Sequence, residues 1–90
     1  METYHYIVRG MVQGVSFRYY TKREADLLKI SGIVKNLSDG TVEIYAAGDP
    51  ASLSSFEDYL RNGPGASMVT EIDKSTVIQE KIFTGFEIIR

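Results

Sequence analysis

The spacing of apolar residues shifts repeatedly along this chain, between the two-residue period of a strand and the three-to-four-residue period of a helix. Tyr4-His5-Tyr6-Ile7-Val8-Arg9 is aromatic and β-branched and predicts a strand. Gly10 opens a loop, Met11 to Ser16, and the pattern then becomes helical. Phe17, Thr21, Ala25 and Leu28 share one face, with Lys22, Arg23, Glu24 and Asp26 elsewhere. Ser31-Gly32 marks the expected helix stop. Thr21 and Glu24 also have the spacing of a capping box, which would start the helix later.

Ile33 to Leu37 predicts a second strand, and Asp39-Gly40 a hairpin turn, because both residues tolerate positive φ. From Thr41 to Ala47 the chain alternates, with Val42, Ile44 and Ala46 on one side, as a half-buried strand does. Asp49-Pro50 reads as a helix cap followed by a first-turn proline. Leu53, Phe56 and Leu60 form the apolar stripe of that helix, which ends near Asn62-Gly63-Pro64-Gly65. Residues 67–78 and 84–89 are the remaining strand candidates. The order is β-α-β-β-α-β with a short extra strand, the plan of an α+β, ferredoxin-like two-layer sandwich. It places two helices on one face of an antiparallel sheet in a single domain over residues 1–90. Such a plan hosts enzymes, RNA binders and ligand sensors alike, so function has to come from a site.

Composition narrows the choice. The formal net charge is −2, whereas nucleic-acid and membrane-surface proteins usually carry a basic excess, so neither partner is expected. Cysteine is absent, which removes disulfides, thiolate nucleophiles and Cys-based metal sites and favours the reducing cytoplasm. No apolar run is long enough to span a bilayer, and the first residues lack the features of a signal peptide. His and carboxylate residues do not cluster at metal-ligand spacing, so neither metal nor cofactor is expected. The single histidine, His5, lies on a strand away from the loop and reads as a packing or surface residue. Tyr4, Tyr6 and Tyr45 read as strand-packing residues, since no RNA-recognition motif accompanies them.

The chemistry concentrates between Gly10 and Arg18. This segment leads from a strand into a helix, and no proline interrupts it, so every amide can donate. Amide N–H groups at a helix start, together with the helix dipole, favour an anion. Arg18 stands on the unfavourable side of that dipole, by about 0.3–1 kcal/mol, unless an anion lies between it and the amides. A guanidinium matches phosphate in bidentate fashion. The residue pattern by itself leaves another reading open, in which Arg18 makes a surface salt bridge and the glycines serve a tight turn. Asn36 likewise is either a water-aligning amide or a strand-end residue bonded to backbone.

The segment Val8-Arg9-Gly10-Met11-Val12-Gln13-Gly14-Val15-Ser16-Phe17-Arg18 resembles the signature loop of the acylphosphatase family. Gly32-Ile33-Val34-Lys35-Asn36-Leu37-Ser38-Asp39-Gly40-Thr41-Val42-Glu43 resembles its second signature. The likeness continues at Ala46, Gly48, Gly63-Pro64 and Gly85-Phe86, in the family's order and over nearly the whole chain. Departures are mild: Ile33 stands where an aromatic is frequent, Ser16 falls on a variable position, and the tail varies beyond Phe86.

The resemblance implies hydrolysis of acyl phosphates to a carboxylate and inorganic phosphate, the phosphate also inhibiting. It places the phosphate-binding arginine on Arg18 and the water-orienting asparagine on Asn36. The phosphate cradle falls on Gln13, Gly14, Val15, Ser16 and Phe17. A monomer is expected. The chemistry agrees with this: the leaving carboxylate comes from an acid of pKa about 4 and needs no general acid, which suits a chain poor in acid–base groups. The competing hypothesis from another class is a binding module that recognises the phosphate group without hydrolysing it.

Overall fold

The computed structural model describes residues 1–78 and 82–90. Five strands form one sheet, in the order β4-β1-β3-β2-β5. They are β1 (Glu2–Met11), β2 (Ser31–Asn36), β3 (Val42–Gly48), β4 (Met68–Thr76) and β5 (Phe86–Ile89). The helices α1 (Phe17–Leu27) and α2 (Pro50–Arg61) pack on one face, α1 over β2 and β5, α2 over β3 and β4. The expected ferredoxin-like sandwich is present. Its first four strands pair antiparallel, and β5 joins the far edge parallel to β2, with Val34 opposite Ile88 and Lys35 opposite Ile89.

The core follows from alternation. Tyr6 and Val8 of β1, Val34 of β2, and Val42, Ile44 and Ala46 of β3 all turn to the helices and are fully buried. Phe17 and Ala25 of α1, Leu53, Phe56 and Leu60 of α2, and Phe86 of β5 meet them. The Tyr6 hydroxyl donates to Glu57 Oε2 at 2.7 Å, tying β1 to α2, and burial together with that carboxylate pushes its pKa well up. On the opposite face His5 sits directly across from Tyr45, its ring 4.7 Å away, with Nε2 2.9 Å from Glu43 Oε2. His5 is thus a packing residue, as its sequence position suggests.

Local signals differ in three places. Helix α1 starts at Phe17, so the later start that Thr21 and Glu24 would give is not used; Thr21 is wholly buried on the core face. The helix also stops before Ser31-Gly32, which already belong to β2. Lys29 takes the left-handed conformation (φ 58°) in glycine's stead. The Lys29 N–H donates to the Asp26 carbonyl and the Ile30 N–H to the Ala25 carbonyl, a Schellman closure sealed by burial of Ile30. In the β2–β3 turn only Gly40 has positive φ; Asp39 instead accepts from both the N–H and the hydroxyl of Thr41, at 3.0 and 2.6 Å. Those bonds to the charged form hold the Asp39 carboxyl below its usual range.

Two glycines are dictated by the sheet, and at Gly32 (φ 152°) a Cβ would run into the carbonyl of Tyr45 on β3. The β1–β4 register shifts between Arg9 and Gly10, and at that bulge a Cβ on Gly10 would run into the carbonyl of Met68.

Candidate active site

The connection from β1 to α1 is built to leave its amides free. Gly14 (φ 74°) and Ser16 (φ 63°) both take left-handed conformations, which curl the backbone. Ser16 is the N-cap residue, yet its side chain caps nothing, and no acidic residue occupies the first turn. The first helical bond is donated by the N–H of Tyr20 to the Ser16 carbonyl, at 3.2 Å. Among the described residues, no hydrogen bond takes up the main-chain N–H groups from Gln13 to Tyr19. A run of unused donors at a helix start is an anion-binding geometry.

Part of this run borders a small cavity of about 200 Å³. Gly14, Ser16, Phe17, Arg18 and Asn36 all line it. Arg18 lies in the first turn of α1, half-buried, and no acidic partner among the described residues comes within salt-bridge distance. A cation there opposes the helix dipole with nothing to offset it. That disfavours the surface salt bridge left open by the residue pattern.

Asn36 ends β2, two residues beyond Val34, so its side chain points to the same helix-covered face. Its Oδ1 is buried and has no hydrogen-bond partner. Native structures pair nearly all such acceptors, and an orphan costs about 1–3 kcal/mol. The strand-end bond to backbone that would explain Asn36 as a purely structural residue is not made through this oxygen.

The remaining predicted residues serve the loop from behind. Gln13 does not line the cavity; its Nε2 donates to the carbonyls of Leu37 and Thr41, at 2.7 and 2.8 Å, and ties the loop to the β2–β3 turn. Val15 packs against the core, and Phe17 is buried in it. For Val15 and Phe17 the group available to a ligand is therefore the main-chain N–H.

Four further residues border the cavity, Val12, Tyr19, Ile88 and Arg90, and of these Arg90 figures in the sequence only as part of the variable tail. The parallel register that sets Lys35 opposite Ile89 makes Asn36 and Arg90 the next positions along the two strands. The pairing brings a second arginine to the edge of the site. No local pattern announces it, because periodicity finds the strand but not its neighbour. Among the described residues, no group of three or more His, Cys, Asp or Glu could hold a metal ion. No helix of the described residues is long and apolar enough to cross a membrane.

The profile of the family Acylphosphatase matches residues 4–88. A protein named acylphosphatase from Burkholderia cenocepacia is 47% identical, over 97% of this chain and 89% of its own length. The crystal structure of acylphosphatase from Bacillus subtilis superposes with a TM-score of 0.95, at 42% identity and with both chains fully covered. An acylphosphatase structure from Coxiella burnetii gives 0.90 at 33% identity, covering 98% of this chain and 92% of that one.

Proposed function

This chain belongs to the acylphosphatase family, and we propose that it hydrolyses acyl phosphates by direct attack of a water held at Asn36 on a phosphoryl group held by Arg18 and the loop amides. The observation that carries this reading is the convergence of three unsatisfied features on one cavity: the unused N–H groups up to Tyr19, the unpaired Arg18 and the orphan Asn36 Oδ1.

The phosphoryl oxygens take hydrogen bonds from the amides between Gln13 and Phe17 and from the Arg18 guanidinium. These donors are fixed before the substrate arrives, so they stabilise charge on the transferring phosphoryl group without reorganising. Asn36 Oδ1 accepts a hydrogen bond from the water and aligns its oxygen with phosphorus, on the side opposite the acyl oxygen. The water oxygen forms the new P–O bond as the bond from phosphorus to the acyl oxygen breaks. The electron pair leaves with the carboxylate. Asn36 cannot serve as a base, so the water's proton passes to a phosphoryl oxygen. The products are a carboxylate and inorganic phosphate, and phosphate inhibits by occupying the same cradle. The chemistry asks for no cofactor and no metal, and a single chain supplies every group. The cysteine-free composition supports action in the reducing cytoplasm.

The test is steady-state hydrolysis of benzoyl phosphate in the presence of chelator. Arg18→Ala is expected to abolish both turnover and phosphate inhibition. Asn36→Ala is expected to lower kcat about 100-fold or more while keeping phosphate inhibition, because it acts on the water. Turnover at the parent rate by Asn36→Ala would refute the role of Asn36. Phosphate binding by the wild type without any turnover would replace the enzyme with a binding module.

A further inference from the structure

Helix α1 carries two stripes. The first, Phe17, Thr21 and Ala25, enters the core. The second, Tyr19, Arg23, Asp26 and Leu27, follows the same three-to-four-residue spacing on the side of the helix turned away from that core stripe. A surface stripe is ordinarily polar, but this one begins and ends with large apolar groups left in water: Tyr19 is 59% exposed and Leu27 is 70% exposed. Between them and Ile88 of β5 lies a second, larger cavity of about 530 Å³. It adjoins the phosphate-sized cavity, since Tyr19 and Ile88 line both. Leu27 lies eight positions beyond Tyr19, so the cleft runs about 12 Å along the helix from the position next to Arg18.

We propose that this cleft is the acyl subsite, and that the enzyme discriminates among acyl phosphates in favour of those with an extended apolar acyl group. The inference rests on the function proposed above. A phosphoryl group fixed at Arg18 leaves the carbonyl carbon at the mouth of the small cavity, and the acyl chain has to leave it somewhere. Tyr19 and Ile88 form the threshold, and Leu27 forms the far end of an apolar shelf. Of the two cations lining the cleft, Lys22 is paired with Asp26 at 2.8 Å and Arg23 stands between Tyr19 and Leu27, so the apolar contacts lie at the two ends of the shelf. An acetyl group ends before the shelf begins. An aromatic ring covers the threshold at Tyr19 and Ile88, and only a longer alkyl chain reaches Leu27 and removes it from water.

The test uses a series of straight-chain acyl phosphates, acetyl, butanoyl, hexanoyl and octanoyl. Their parent acids have closely similar pKa values, so differences report acyl contacts and not leaving-group chemistry. Full burial of one methylene is worth about fourfold. An open cleft retains part of that, and kcat/KM is expected to rise by at least about tenfold from acetyl to octanoyl phosphate. Leu27 lies outside the phosphate cavity, and Leu27→Asp should flatten the series while leaving acetyl phosphate turnover unchanged. Leu27→Met should retain the slope. A flat series in the wild type, or an unchanged slope in Leu27→Asp, would overturn the proposal while hydrolysis of acetyl phosphate still upheld the proposed function. Loss of a self-association seen by sedimentation in Leu27→Asp, with the slope intact, would also overturn it by assigning the shelf to a second copy of the chain. Absence of hydrolysis throughout would strike at the proposed function itself.

Discussion

Two strand-to-helix junctions lie at corresponding points of the fold, and they are built in opposite ways. The β3–α2 junction is a single residue, Asp49, in an ordinary extended conformation (φ −72°, ψ 150°), with Pro50 opening the helix. It places a carboxylate at the positive end of the helix dipole, where charge and dipole agree. The β1–α1 junction runs from Val12 to Ser16, contains two left-handed residues, and places a cation, Arg18, in the first turn. The first arrangement sets a carboxylate of the chain itself against its helix dipole, although the Asp49 side chain makes no capping hydrogen bond. The second leaves donors, dipole and guanidinium all seeking the same missing partner, an anion. Where a fold repeats a structural task and solves it well once and badly once, the bad solution marks the site.

The sharpest way to break the comparison is Arg18→Ala. It should lower kcat/KM for an acyl phosphate by about 10³-fold or more. It should not destabilise the free protein, since it removes a cation from the wrong end of the dipole. Added phosphate should raise the Tm of the wild type but not of this variant, and a thermal scan with and without phosphate checks both statements.

Gln13→Ala probes how the loop is braced. It removes two hydrogen bonds to the β2–β3 turn and is expected to cost about 1–2 kcal/mol in urea denaturation. The lost brace should also lower phosphate affinity, although Gln13 is not part of the cavity lining. Asp49→Ala is the control at the other junction. It should cost about 0.3–1 kcal/mol through the lost charge–dipole interaction and leave turnover unchanged.

The smallest effect concerns Asp39, whose carboxyl is held below its usual range by Thr41. A depressed pKa in the folded state means a contribution fully present above the unfolded value and lost as pH falls through the folded one. Denaturation measured downward from about pH 4 should therefore fall less steeply for Asp39→Asn than for the wild type.

The elements themselves were readable from alternation and helical stripes, because burial on one face imposes those periods directly. The two strand-to-helix junctions were readable too, through Pro50 at one and the glycine-containing, proline-free loop at the other. What escaped were features set by partners distant in sequence. Lys29 closes α1 because Ile30 is buried behind it, and nothing about a lysine advertises a left-handed conformation. Arg90 reaches the site only because β5 pairs parallel to β2, a choice that strand periodicity does not contain. Tyr19 and Leu27 fall on the flank of α1 that a one-stripe reading assigns to solvent. Arg18 and Asn36 were identified on resemblance; their own residue chemistry left structural roles open. The orphaned Asn36 oxygen and the unpaired guanidinium are what favour the chemical roles over those.

The position of β5 in chain order has a temporal side. A polypeptide leaving the ribosome presents its N-terminal residues first, so Arg18 and Asn36 emerge well before Ile88 and Arg90. Until that edge strand docks, one wall of the catalytic pocket is missing and the cradle stands open to bulk solvent. The proposed pocket is therefore complete only once β5 has been made and has docked beside β2.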